Sequence, residues 1–189
     1  KGLENALKTI RKISPQLYKE MNAKIRPELK LLVTASKENI PADFNGLSNW
    51  KPYATPNAKF PFFNASLVKS SYHYTLAKTR HKGSSWTNRY TVFTTAPAGR
   101  IIEFAGTKNP QGQPWVGKKG SAGHRYSHSN NPKAGAHFIA SIAEKNKAFK
   151  IGNRSGRVMY KALFENNGRA KKAVTDAINE TLIKVGFHK

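Results

Sequence analysis

Residues 44–143 contain 13 lysines and arginines but one carboxylate, Glu103, which lies in the segment GRIIEFAGTKNPQGQPW at 99–115. A cation buried anywhere in that stretch has a single acidic side chain of its own stretch to set against it, and an uncompensated buried charge is strongly destabilising. The flanks are milder, with 9 basic and 5 acidic groups in residues 1–43 and 11 and 4 in residues 144–189. Two uses of Glu103 follow. It pairs with one or more of the surplus cations, so that truncation would strand a buried or half-buried positive group. Alternatively it joins His73 or His81 as a general acid–base set for RNA cleavage, with lysines and arginines stabilising phosphate charge. No spacing demands convergence of those three residues, so the structural role is the expected one.

The whole chain carries a net charge of +23, whereas a magnitude of about 2 to 8 suffices to keep a small domain soluble. Copies of such a chain repel one another at close range unless counter-ions, nucleic acid or acidic partner surfaces stand nearby. Its 189 residues, 38% of them hydrophobic, suit one sizeable core, since domains typically run to roughly 100–150 residues. A single domain over residues 1–189 is therefore expected. The absence of cysteine rules out disulfides, thiolate metal sites and cysteine nucleophiles. No apolar run approaches the roughly 20 residues that span a bilayer, which predicts a soluble chain with no membrane partner.

Apolar periodicity predicts helices at both ends. Leu3, Ala6, Leu7 and Ile10 form a first short stripe; Ser14-Pro15 supplies a start signal; Leu17, Met21, Ile25, Leu29 and Leu32 then continue a longer one. Pro27 lies inside this second helix and predicts a bend or division near Lys24. Toward the other end, AHFIASIAEKNKAF at 136–149 is compatible with helix. Val158, Ala162 and Leu163, then Ala170, Val174, Ala177, Ile178, Leu182 and Val185, predict a closing helical region with a break at Gly168.

Between the ends, LVKSSYHYTLAK at 67–78 and WTNRYTVFTT at 86–95 predict two antiparallel strands separated by the turn-like TRHKGSS. RIIEFAG at 100–106 reads equally as a third short strand or the opening of a helix. Residues 39–64 form an insertion with four prolines and six aromatics, Phe44, Trp50, Tyr53, Phe60, Phe62 and Phe63. It is too apolar for a free linker, so it should pack against its own domain or a neighbouring copy. Residues 106–135 form a basic loop rich in Gly and His. The expected class is α+β: N-terminal helices, a small, mostly antiparallel sheet with long irregular loops, and C-terminal helices.

Near-miss motifs exclude several chemistries. GQPWVGKK at 112–119 has the spacing of a phosphate-binding loop, but Lys119 stands where a Ser or Thr must hold magnesium, and Pro114 and Trp115 oppose a nest of backbone donors. His124, His128 and His137 have no neighbouring carboxylate to complete a zinc site. No cofactor is expected. Lysines and arginines mixed with Tyr, Trp and His suit phosphate contact and stacking, yet no recognition motif is present. A basic nucleic-acid-binding protein making sequence-independent contacts is thus the alternative to a structural role.

GLENALKTIRKISPQLYKEM at 2–21, GRIIEFAGTKNPQG at 99–112 and GRVMYKALFENN at 156–167, taken in that order, resemble the tail-completion, or neck, proteins of long-tailed bacteriophages. The resemblance spans most of the chain through degenerate motifs; the insertion at 39–64 and the His-rich loop at 117–137 have no counterpart in it. It implies a non-catalytic virion protein, assembled as a hexameric or dodecameric ring between the head connector and the tail. Its implied partners are neck and tail proteins, such as the connector or stopper and the tail terminator, with non-specific contact to genomic DNA. It also implies residence in the virion, and in the host cytoplasm during assembly. Glu103, Phe104, Ala105 and Gly106 carry over as a signature: Glu103 at a strand end, Ala105 and Gly106 permitting a tight turn, and the carboxylate anchoring the following loop through a cation. The aromatics Phe44, Trp50, Tyr53, Phe60, Phe62 and Phe63 become candidates for the subunit interface, and Lys108, Lys118, Lys119, Arg125 and Lys133 candidates for facing DNA or an acidic partner.

Overall fold

A computed structural model of the chain describes residue 12 and residues 14–42, 61–82, 85–108, 131–184 and 186. The elements run α1 (Pro15–Glu38), α2 (Ala65–Ser70), β1 (Tyr72–Lys82), β2 (Ser85–Thr94), α3 (Pro97–Phe104), α4 (Ala134–Lys145), β3 (Phe149–Ile151), β4 (Arg154–Gly156) and α5 (Met159–Lys184). Helices at the two ends with small two-stranded antiparallel sheets between them make the class α+β. The backbone divides into two compact units, one built from residues 1–35, 73–93 and 165–189, the other from residues 36–72 and 94–164.

The first unit is built on a pair of long helical segments. Met21, Ile25 and Leu29 recur every fourth residue and so share one face of α1, where they pack with Ala177 and Ile178 of α5. Tyr18, Tyr74, Leu76, Tyr90, Val174 and Leu182 close around them. Tyr90 donates its hydroxyl to Asn22 Oδ1 at 3.2 Å, and burial, then the neighbouring Tyr18, pushes its pKa above the usual phenol value. At the rim, Lys24 pairs with Glu180, Arg169 Nε reaches Glu28 at 3.1 Å and Lys184 reaches Glu20 at 3.1 Å. Positions 20, 24 and 28 rise as their partners 184, 180 and 169 fall, the pattern of antiparallel helices.

Three local expectations need correction. Helix α1 runs through Pro27 undivided; Pro27 is exposed, so the donor it lacks is not a buried one. Gly168 does not break α5, which continues from Met159 to Lys184. Glycine costs only about 1 kcal/mol in a helix interior, and the packed residues on either side outweigh that. Residues 67–70, expected in a strand, are helical because Asn64 caps α2: its Oδ1 accepts from Leu67 N at 3.0 Å. The strands β1 and β2 instead reach into the segment read as a turn, leaving two residues between them.

The second unit gathers α2, α3, α4, the β3–β4 hairpin and the start of α5 around Ile40, Phe63, Val68, Tyr72, Ile102, Ile142, Val158 and Ala162, all buried. In the hairpin Phe149 faces Gly156 and Ile151 faces Arg154. Side chains tie its connections together: Asn146 Nδ2 donates to Asn39 O at 2.6 Å, and the hydroxyls of Ser71 and Thr94 lie 2.8 Å apart.

Candidate functional site

The segment at 100–106, open between strand and helix in the sequence, is the helix α3, with Pro97 in its first turn. Proline there gives up only an N–H that a helix start leaves unpaired in any case. Ala98, Gly99, Ile102 and Glu103 are the buried residues of this helix, and their spacing places them on one face. Glu103 therefore lies on the apolar face of an amphipathic helix, with 0% exposure.

Its carboxyl group is occupied from the far side. Oε2 accepts from Val158 N at 2.9 Å and from Met159 N at 2.8 Å, and Oε1 accepts from Tyr160 N at 3.2 Å. These are N–H groups at the start of α5, which have no partner within their own helix. The sequence before α5, Gly156-Arg157-Val158, holds no Ser, Thr, Asp or Asn to cap it, and no acidic residue lies in the first turn. Glu103 supplies that cap from a different helix, where the positive end of the helix dipole also favours a carboxylate. A side chain at Gly156 would collide with Glu103 Oε1 and the Tyr160 ring, so glycine is required for the close approach.

Arg157 is the cation beside this carboxyl. It is 3% exposed and donates Nη1 to Ile102 O at 3.3 Å. Burial lowers its pKa, and the nearby Glu103 charge opposes that. Burial likewise pushes Glu103 above the ordinary carboxylate value, with the backbone N–H groups of Met159, Tyr160 and Val158 and the charge of Arg157 pulling back. Tyr72, 1% exposed, sits in the same field: burial first, then Glu103, raises its phenol. Tyr72 OH and Arg157 Nε are buried without a hydrogen-bond partner among the described residues. The cluster is a closed electrostatic clamp with no solvent-facing oxygen.

The clamp differs from the expected one in two respects. Glu103 sits in the last turn of a helix rather than at a strand end, and it fixes the start of α5, some 55 residues away in sequence, rather than the loop that follows it. The reason is the helical period, which turns Glu103 inward and Phe104 outward to 45% exposure. The tight turn is present: Ala105 N donates to Ile101 O at 2.8 Å, and Gly106 has φ 72°, a conformation that favours glycine. A side chain at Gly106 would also strike Ile139 of α4.

A carboxyl at 0% exposure with both oxygens bound to backbone offers no edge to a phosphodiester. His73, its suggested partner, is exposed and lies against Phe93 with ring centroids 5.9 Å apart. Among the described residues no three His, Asp or Glu side chains gather as metal ligands, and no helix is long and apolar enough to cross a membrane. Of the interface candidates, Phe63 is buried within its own chain at 6% exposure. That burial withdraws it from a subunit interface. Phe62 is half-buried, and Phe44, Trp50, Tyr53 and Phe60 lie outside the described residues. Lys108 and Lys133 are exposed; Lys118, Lys119, Arg125, His124, His128 and the segment 112–119 lie outside them as well.

Sequence reasoning singled out Glu103 but missed Arg157, Tyr72 and Gly156. The available signal was the uncapped start of α5 in a chain whose middle holds one acid. Comparison with protein-family models, with curated proteins and with solved structures finds no match to this chain.

Proposed function

We propose that this chain is a structural virion protein of the phage head-to-tail neck, forming a ring that joins the head connector to the tail and lets DNA pass. The observation that carries this reading is the burial of Glu103. With that carboxyl sealed inside, none of the 13 cations of residues 44–143 has a surface carboxylate within its own stretch. In this reading DNA phosphates or acidic neighbouring proteins supply the balance that the stretch itself lacks. Passage of a genome requires contacts of this sequence-independent kind. The ordered likeness of residues 2–21, 99–112 and 156–167 to neck proteins supports the same assignment.

In this reading Lys108 and Lys133 face DNA or an acidic partner, the connector or stopper and the tail terminator are neighbours, and the aromatics of 44–62 seat one subunit on the next. A cyclic ring makes that interface heterologous. Mass spectrometry of purified particles, with an image of the neck, tests the assignment: a ring's stoichiometry is expected. Absence from particles, together with steeply salt-dependent duplex binding by a monomer or dimer, would instead make the chain a basic nucleic-acid-binding protein. Changing Trp50 and Phe62 to Ala should impair ring assembly more than folding; equal loss of both would make these rings core.

A further inference from the structure

Two pairs of aromatic rings, brought onto one face by α5, form a strip on the second unit. Phe104 meets Tyr160 edge to face with centroids 6.3 Å apart, and Phe149 meets Phe164 at 5.4 Å. Tyr160 and Phe164 are four residues apart on α5, hence neighbours on one helix face. The strip is not a core: Phe104 is 45% and Phe164 59% exposed. Exposed rings grouped in this way, rather than scattered singly, suit a contact with another molecule.

The charges around the strip choose the occupant. Arg100 stands one helical turn before Phe104, and Arg154 pairs with Ile151, which shares the face of Phe149 in the hairpin; both arginines are exposed. Across the described residues of this unit and the next residue of α5, seven exposed lysines and arginines stand against three exposed glutamates, Glu38, Glu144 and Glu165. A second copy would bring the same cations, and like charge across an interface is costly. Single-stranded nucleic acid would match the charge but needs open ring faces for stacking. The edge-to-face and tilted contacts here close part of those faces, and Tyr160 and Phe149 are half-buried.

We propose that the strip from Phe104 to Phe149 is a docking surface for an acidic protein segment, whose apolar side chains lie on Phe104 and Phe164 while its carboxylates meet Arg100 and Arg154. This rests on ring geometry and charge and stands independently of the virion assignment. The test titrates the full chain into a fluorescent amphipathic helical peptide of Glu, Leu and Ala, read by anisotropy, beside its Glu→Gln counterpart and a labelled oligo-dT. Saturable binding of the acidic peptide is expected, roughly tenfold weaker with Phe164→Ala or Phe104→Ala, the size of losing one aromatic anchor. Phe164→Leu should retain most of it, and Leu67→Ala, removing an exposed apolar residue elsewhere, should leave it unchanged. Phe164→Glu places a like charge under the peptide and should abolish binding while far-UV circular dichroism stays that of the parent chain. The proposal is overturned if the acidic peptide does not bind, if the ring variants leave its affinity unchanged, if the Gln peptide binds equally well, or if oligo-dT displaces it and is itself lost in the same variants.

Discussion

In the helix pair around Met21 and Ile25, the ion pairs Glu20–Lys184, Lys24–Glu180 and Glu28–Arg169 all lie at the rim, whereas the unit around Ile102 holds Glu103 and Arg157 inside. The two regions solve the same problem with opposite placements of charge. In the first, apolar side chains supply the burial, and the pairs Lys24–Glu180 and Glu20–Lys184 remain hydrated, where they contribute little and tolerate loss. In the second, a carboxyl, a guanidinium and a helix start are interdependent, because removing any one strands the others in a poorly solvated interior. The same chemical groups are therefore dispensable in one place and indispensable in the other.

Glu103→Ala should break the comparison most severely, destabilising the chain by roughly 3–5 kcal/mol by leaving Arg157 and three helix-terminal N–H groups without a partner. Urea melts measure the loss, and hydrogen exchange at Val158, Met159 and Tyr160 should locate it. Loss below about 1 kcal/mol would make the clamp dispensable. Ile25→Ala, at a position with 0% exposure, should cost about 2–5 kcal/mol through lost burial and the cavity left behind. Its exchange signature should concentrate on the helix pair, a contrast that sharpens the distinction between the regions.

The third effect is a pH dependence. Burial raises the Glu103 pKa in the folded chain, so between the unfolded and folded values the native state holds a proton that the unfolded chain has released. The stability this group contributes is then full below its unfolded pKa and is lost as pH rises through the folded one. Measured against Glu103→Gln from acid to neutral pH, the advantage of the parent chain should shrink as pH rises. Growth of that advantage would mean that the N–H donors and Arg157 outweigh burial. The smallest effect belongs to the rim: Lys24→Ala should change stability by less than about 1 kcal/mol, read in the same melts.

Much of the helical framework was legible because periodicity survives without tertiary knowledge. Met21, Ile25 and Leu29 at intervals of four announce their face, and Val174, Ala177, Ile178 and Leu182 announce the answering one. The local breakers did not end the helices: α1 is undivided at Pro27 and α5 is unbroken at Gly168, since an exposed proline or a single glycine costs less than a well-packed long helix provides. The strand boundaries moved because Asn64 captured residues 65–70 for a capped helix. At the site, scarcity identified Glu103 and local glycine chemistry identified Gly106, but Arg157 looked like one cation among 33.

By itself, then, the chain's composition and spacing determined an α+β fold, helices at both ends, a net charge of +23 and a single carboxylate in the middle stretch. Only the tertiary structure decided what that carboxylate holds. A hydrogen bond between α3 and the start of α5 spans 55 positions, and nothing local to either segment encodes the other. The choice depends on which backbone donors remain unpaired once the chain has closed, and that is a property of the folded whole.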